Sequence, residues 1–129
     1  QEQRYNHISS WAMDIILAHK PDIVVLEGYA LGSSKGAVFN IAENTGLLKH
    51  KIWETGDYEL LTPAPTTVKK FFAGKGNANK ESMYDVFFEQ EQINISALLG
   101  ATKTISPVND IVDSFAMAKY GKHYLEGTL

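Results

Sequence analysis

The chain has 129 residues, 44% of them hydrophobic and 21% charged. That composition suits one globular domain with a proper core and excludes a disordered chain. The net charge of −3 speaks against a uniformly basic nucleic-acid binder, and the lack of cysteine excludes disulfides and thiolate metal sites. No apolar run approaches the roughly 20 residues that span a bilayer, and no signal peptide is visible. Gln1 stands where initiation normally supplies Met, so the sequence reads as a fragment or a processed chain.

Ile8, Trp11, Ala12, Ile15 and Ile16 recur at helical spacing and predict an amphipathic helix over 3–19. Lys20-Pro21-Asp22 stops it. Ile23 to Leu26 is an apolar run that reads as a buried strand, and Glu27 is the first polar residue beyond it. A loop follows, with Ser33 or Ser34 as the N-cap of a long helix. That helix turns Val38, Ile41, Ala42, Thr45 and Leu48 inward and ends before Gly56. Residues 58–61 form a second short strand. Pro63 and Pro65 open a short helix over 66–73, which Gly74-Lys75-Gly76-Asn77 breaks. Met83, Val86 and Phe87 mark a helix over 79–90. Residues 92–106 carry no clear period. Pro107 opens the last helix, with Ile111, Val112, Phe115 and Ala118 inward and an end near Gly121. Two strands do not make a self-sufficient α/β sheet, so strands are missing, most simply at the N-terminus. There is no internal repeat and no sign of a second domain, so residues 1–129 are taken as a single domain.

Three carboxylates stand out. Glu27 ends a strand, where open α/β sheets place their ligands. Asp110 and Asp113 are three apart in a helix and share one face. Acids gathered in this way call for a divalent cation, and hard oxygen ligands suit Mg²⁺ completed by water and substrate phosphate. This suggests metal-dependent phosphodiester cleavage. Each acid has an ordinary alternative: a strand-end charge for Glu27, and for Asp110 and Asp113 complements to the helix dipole. Between Thr66 and Lys80 lie four lysines (Lys69, Lys70, Lys75, Lys80) and no acid. This is either a solvated face or a local positive potential for phosphate. Lys75-Gly76 is not a P-loop, because no Gly-Lys-Ser/Thr follows a strand there. His7, His19, His50 and His123 lack metal-ligand spacing. Trp11 and Trp53 fall in helical patterns and read as core or interface. Phe71, Phe72, Phe87 and Phe88 are mostly core, with one of each pair left to face elsewhere.

The segment Pro21-Asp22-Ile23-Val24-Val25-Leu26-Glu27, with Glu43-Asn44-Thr45-Gly46 after it, resembles the RuvC family of Holliday junction resolvases. So do Pro65-Thr66-Thr67-Val68-Lys69-Lys70, with Gly74-Lys75-Gly76-Asn77-Ala78-Asn79-Lys80, and Asn109-Asp110-Ile111-Val112-Asp113-Ser114-Phe115-Ala116. The second resembles that family's P-x-x-V-K-x and G-x-G-x-A-x-K stretches, the third its D-x-x-D-A-L-A helix. The resemblance implies an RNase H-like α/β fold, a mixed sheet flanked by helices, whose three N-terminal strands are absent from this chain. A Gly-x-Asp-Pro-Gly motif, with the family's first catalytic Asp, is absent with them.

The family's chemistry implies Mg²⁺ as cofactor, with Mn²⁺ able to substitute, in a two-metal hydrolysis. Glu27, Asp110 and Asp113 then act as metal ligands and catalytic residues, with Lys80 beside the scissile phosphate. Lys69, Lys70, Lys75 and Lys80 are implied DNA contacts. Tyr29 is the aromatic nearest the family's junction wedge, one position early. The implied partners are branched DNA, a four-way junction above all, and a second copy in a homodimer, with no membrane. The implied setting is the cytoplasm of a bacterial or phage-infected cell, or an organelle of similar origin. A non-catalytic branched-DNA-binding domain on the same fold, and a small-molecule phosphate or nucleotide enzyme, are the competing classes.

Overall fold

A computed structural model describes residues 1–29 and 37–129. Ser33 and Ser34, the expected N-caps, lie outside them. The chain divides into two compact units, 1–62 and 63–129.

The first unit begins with helix α1 (Glu2–His19), which closes on Lys20 in the left-handed conformation. Strand β1 (Ile23–Val25) follows, then helix α2 (Ala37–Thr55) and strand β2 (Glu59–Leu61). The two strands pair in parallel, Ile23 opposite Glu59 and Val25 opposite Leu61. The Leu26 amide extends the ladder to the Leu61 carbonyl at 2.9 Å. Parallel neighbours need a long crossover, and α2 lies within it. Gly56, at φ 68°, ends α2 as expected.

Here the core is Met13, Val24 and Ile52, with Ile16, Leu26, Leu48, Tyr58 and Leu60 packed around them. The inward stripe of α1 differs from the expected one. Ser9 and Met13 are buried, while Trp11 and Ile15 are exposed. Ser9 tolerates burial because its hydroxyl donates to the Asn6 carbonyl within the helix. Lys51 of α2 then reaches Asn6 and Ser10 of α1 at 2.8 and 3.0 Å. In α2, Ile41 is exposed although its spacing pointed inward, and Trp53 is 75% exposed, stacked on His50. Neither tryptophan is therefore core. Ile52, 1% exposed, carries the packing instead. Ile52→Ala is expected to cost about 2–5 kcal/mol, the transfer term for the lost side chain plus the cavity it leaves in this small core. Urea unfolding of the variant beside the parent checks this through the shift in midpoint.

The second unit is helical: α3 (Pro65–Ala73), α4 (Lys80–Glu91), α5 (Ile95–Leu99) and α6 (Val108–Glu126). Pro65 opens α3 at a position where no amide donor is needed. Gly74 closes it at φ 78°. Asn79 caps α4 by accepting from the Ser82 amide at 2.8 Å. The core runs through Val68 and Phe72 of α3, Met83, Tyr84 and Phe87 of α4, Ile95 of α5, and Val108, Val112 and Ala116 of α6. Phe115 meets Phe72 and Phe87 edge-on, at 6.1 and 4.9 Å between ring centres. Of each phenylalanine pair one is core. Phe71 lies partly buried against Tyr120 and His123, and Phe88 is exposed.

Two readings of this unit change. Residues 92–106 contain α5, fixed by Asn94, which accepts from the Ala97 amide and from the Tyr84 hydroxyl. Helix α6 runs through buried Gly121 and ends at Gly127, and it turns Val108, Val112 and Ala116 inward. Ile111 and Ala118 are exposed.

Candidate active site

The sequence brings four charged residues of the second unit into one electrostatic neighbourhood. Val68 must point into the core, which sets Lys69 half-buried beside it. After α3 the chain turns back on itself. A Cβ on Gly76 would stand 3.2 Å from the Thr66 carbonyl oxygen, so glycine is what allows the turn to lie against the start of α3. That turn delivers Lys80 as the first residue of α4. Buried Val108 and Val112 orient α6, and so put Asp110 in its first turn and Asp113 one turn further on.

Asp113 is half-buried, and burial pushes its carboxyl above the ordinary value. The Lys69 ammonium pulls the other way, the Asp110 charge adds to the rise, and the Lys80 ammonium again opposes it. The net direction is upward, so desolvation and the neighbouring acid outweigh the two lysines. A carboxyl raised on folding destabilises the fold once ionised. Below the ordinary Asp value of about 3.9 both states hold the proton and there is no penalty. As pH rises through that value the unfolded chain ionises first, and the cost is complete above the folded value. Asp113→Asn is therefore expected to raise Tm in metal-free buffer by a few degrees at pH 7, and by nothing measurable near pH 3. Calorimetry at the two pH values checks both halves of this.

Asp110 is exposed and already engaged. Ser106 Oγ donates to one of its carboxylate oxygens and Asn109 Nδ2 to the other. Neither Ser106 nor Asn109 is among the expected site residues. A Ser-Pro-x-Asn run just ahead of an acid was the available signal, since such residues serve helix starts.

The other expected residues are placed as follows. Lys70 and Lys75 are exposed. Glu27 is exposed two residues past β1, in the first unit. Tyr29 is 46% exposed, with the Lys49 ammonium 5.0 Å from its ring centre. His123 Nδ1 lies 2.7 Å from the Thr128 hydroxyl, and His50 lies 3.3 Å from Glu54. Among the described residues no group of three or more His, Cys, Asp or Glu could hold a metal. The described carboxylates at the second unit's site are thus the Asp110–Asp113 pair. No helix among the described residues is long and apolar enough to cross a membrane.

No family model matches the chain. It is 29% identical over 118 residues to the crossover junction endodeoxyribonuclease RuvC of Bdellovibrio bacteriovorus, a match covering 92% of this chain and 64% of that protein. The protein of the same name from Chlamydia muridarum is also 29% identical, over 121 residues, 93% of this chain and 66% of the relative. The chain thus spans just under two thirds of the relatives it matches. The structure superposes on that of Thermus thermophilus RuvC with a TM-score of 0.69 at 18% identity, covering 98% of this chain and 71% of the other. The chain is RuvC-like along nearly its whole length and has the RNase H-like fold.

Proposed function

We propose that this RuvC-like chain carries the active site of a structure-selective endonuclease that cuts four-way or other branched DNA by metal-assisted phosphodiester hydrolysis. The observation that carries the reading is Asp113: a half-buried acid raised by burial, beside Asp110, under the charges of Lys69 and Lys80. Titratable groups perturbed by burial beside specific charged partners cluster at functional sites. Its local sequence matches the D-x-x-D helix that the resemblance marks as functional.

Lys80 adds a second argument. A cation on the first residue of a helix faces the positive end of the dipole, a modest local cost. Such rule-breaking residues are expected at functional sites. Its ammonium suits the charge that builds on the phosphate oxygens as water adds to phosphorus and the 3′-oxygen leaves. Lys69, Lys70 and Lys75 hold backbone phosphates on either side. Tyr29 offers an exposed ring to unpaired bases at the branch point.

Mg²⁺ is bound through one or two protein carboxylates plus water and phosphate, and the Asp110–Asp113 pair fits that demand. Asp110 and Asp113 would hold the ion, which would supply Lewis-acid activation of water and charge neutralisation at the phosphate. Mn²⁺, with the same oxygen preference, substitutes. We place both units in one nuclease domain, acting in the cytoplasm as a homodimer, because paired symmetric nicks need two sites related by a two-fold.

Incubating a labelled four-way junction and a linear duplex of the same sequence with the full-length protein, in Mg²⁺ and in EDTA, tests the reading. Mg²⁺-dependent nicks confined to the junction are expected. Tight junction binding without nicks would identify a branched-DNA-binding domain instead, and nucleotide binding by calorimetry with no junction affinity would identify a small-molecule phosphate enzyme.

A further inference from the structure

Both oxygens of the Asp110 carboxylate accept a hydrogen bond from a side chain of the turn that opens α6. Ser106 Oγ donates to Oδ2, and Asn109 Nδ2 donates to Oδ1 at 3.4 Å. Asn109 is only 9% exposed, and among the described residues its own Oδ1 is buried with no hydrogen-bond partner. A buried carbonyl left in this state costs stability. Turning the amide over does not help: the carbonyl would then face the Asp110 carboxylate, and a donor would be left buried without an acceptor. An apolar residue of similar size would fill the position, between buried Val108 and the rest of the first turn, without any unpaired atom. Local stability therefore disfavours asparagine here. Among the described residues its side chain makes one hydrogen bond, to Asp110.

We infer that Ser106 and Asn109 are positioning residues that hold the Asp110 carboxylate, one donor per oxygen, in the orientation in which it binds a divalent cation. The inference rests on the metal-binding reading of the acidic pair proposed above. Donors on both oxygens stop rotation of the carboxylate, and each oxygen keeps lone pairs for a cation. Hydrogen-bond partners of metal-binding side chains typically affect metal affinity by 10–100-fold.

The test is a Mn²⁺ titration of the full-length protein without DNA, followed by electron paramagnetic resonance, with thermal unfolding run in parallel. Ser106→Ala and Asn109→Leu are each expected to weaken Mn²⁺ binding by about 10-fold. Ser106→Thr, which keeps the hydroxyl, is expected to restore it. Asn109→Leu is expected to unfold at the parent temperature or above, because it removes the unpaired carbonyl. Unchanged Mn²⁺ affinity in both variants, with Asp110→Asn still abolishing it, would overturn the positioning role and leave the metal site standing. Mn²⁺ binding that survives Asp110→Asn would overturn the metal reading of the pair, and the positioning role with it. If Asn109→Leu does not fold, the Ser106→Ala and Ser106→Thr pair decides the question, since loss without rescue counts against the inference.

Discussion

Asp113→Asn in the full-length protein is expected to reduce single-turnover cleavage of a four-way junction by roughly 10³-fold while leaving junction affinity unchanged or stronger. If Asp113 binds the metal as proposed, its loss removes several kcal/mol of charge stabilisation from the reacting phosphate, and each 1.36 kcal/mol is tenfold in rate. Binding should not suffer, because the substitution removes a negative charge from a surface that meets phosphate. In metal-free buffer the same variant is expected to be more stable than the parent at neutral pH, since burial raises the Asp113 carboxyl and disfavours its ionised form in the fold. Together, higher Tm, intact binding and lost turnover are what a site held against stability produces. A merely structural aspartate would show lower stability and proportionate loss of every activity. Cleavage within a few-fold of the parent in Mg²⁺ would end the assignment of Asp113.

Much of this site was legible before the structure, and the reason is local. Asp110 and Asp113 sit on one helix, so their shared face follows from helical geometry alone. Lys80 was set at a helix start by the glycine turn and Asn79 that precede it, all within a few residues. Less legible was what depends on tertiary neighbours. Lys69 influences Asp113 across two helices because Val68 is buried, a relation that spacing cannot express. Asn109 and Ser106 act on Asp110 through hydrogen bonds whose reach only a folded turn defines.

The fold divides along the same line. Pro65, Gly74 and Asn79 carry their own stop and start signals, and α3 and α4 fall within a residue of their expected bounds. Helix α5 has five residues and takes its place from the Tyr84 hydroxyl bond to Asn94, which no periodicity records. The inward faces of α1 and α2 differ from helical spacing at Ile15 and Ile41, which are exposed, because spacing records apolar periodicity and not which side chains the neighbouring helix can accommodate. Small Ser9 is fully buried where α1 meets α2, and the large side chains stay outside.

The two lysines of the neighbourhood are expected to separate when replaced. Lys69 and Lys80 both act on Asp113, yet their settings differ: Lys69 is half-buried on α3 and Lys80 exposed at the start of α4. Lysines that only hold phosphate weaken binding evenly across sequences and lower the salt dependence by roughly one unit of slope each. Lys69→Ala is expected to show mainly that loss. If Lys80 meets the reacting phosphate, its charge matters most in the pentacoordinate state, so its removal lowers turnover even when all DNA is bound. Loss of one such donor of positive potential costs about 10²–10³-fold in rate, and Lys80→Ala is expected near the lower end because the metal shares the task. Single-turnover cleavage with enzyme in excess, beside a salt titration of binding, separates the two effects. Should Lys80→Ala cut at the parent rate once saturated, Lys80 would be a phosphate contact like Lys69, and the transition-state charge would fall to the metal alone.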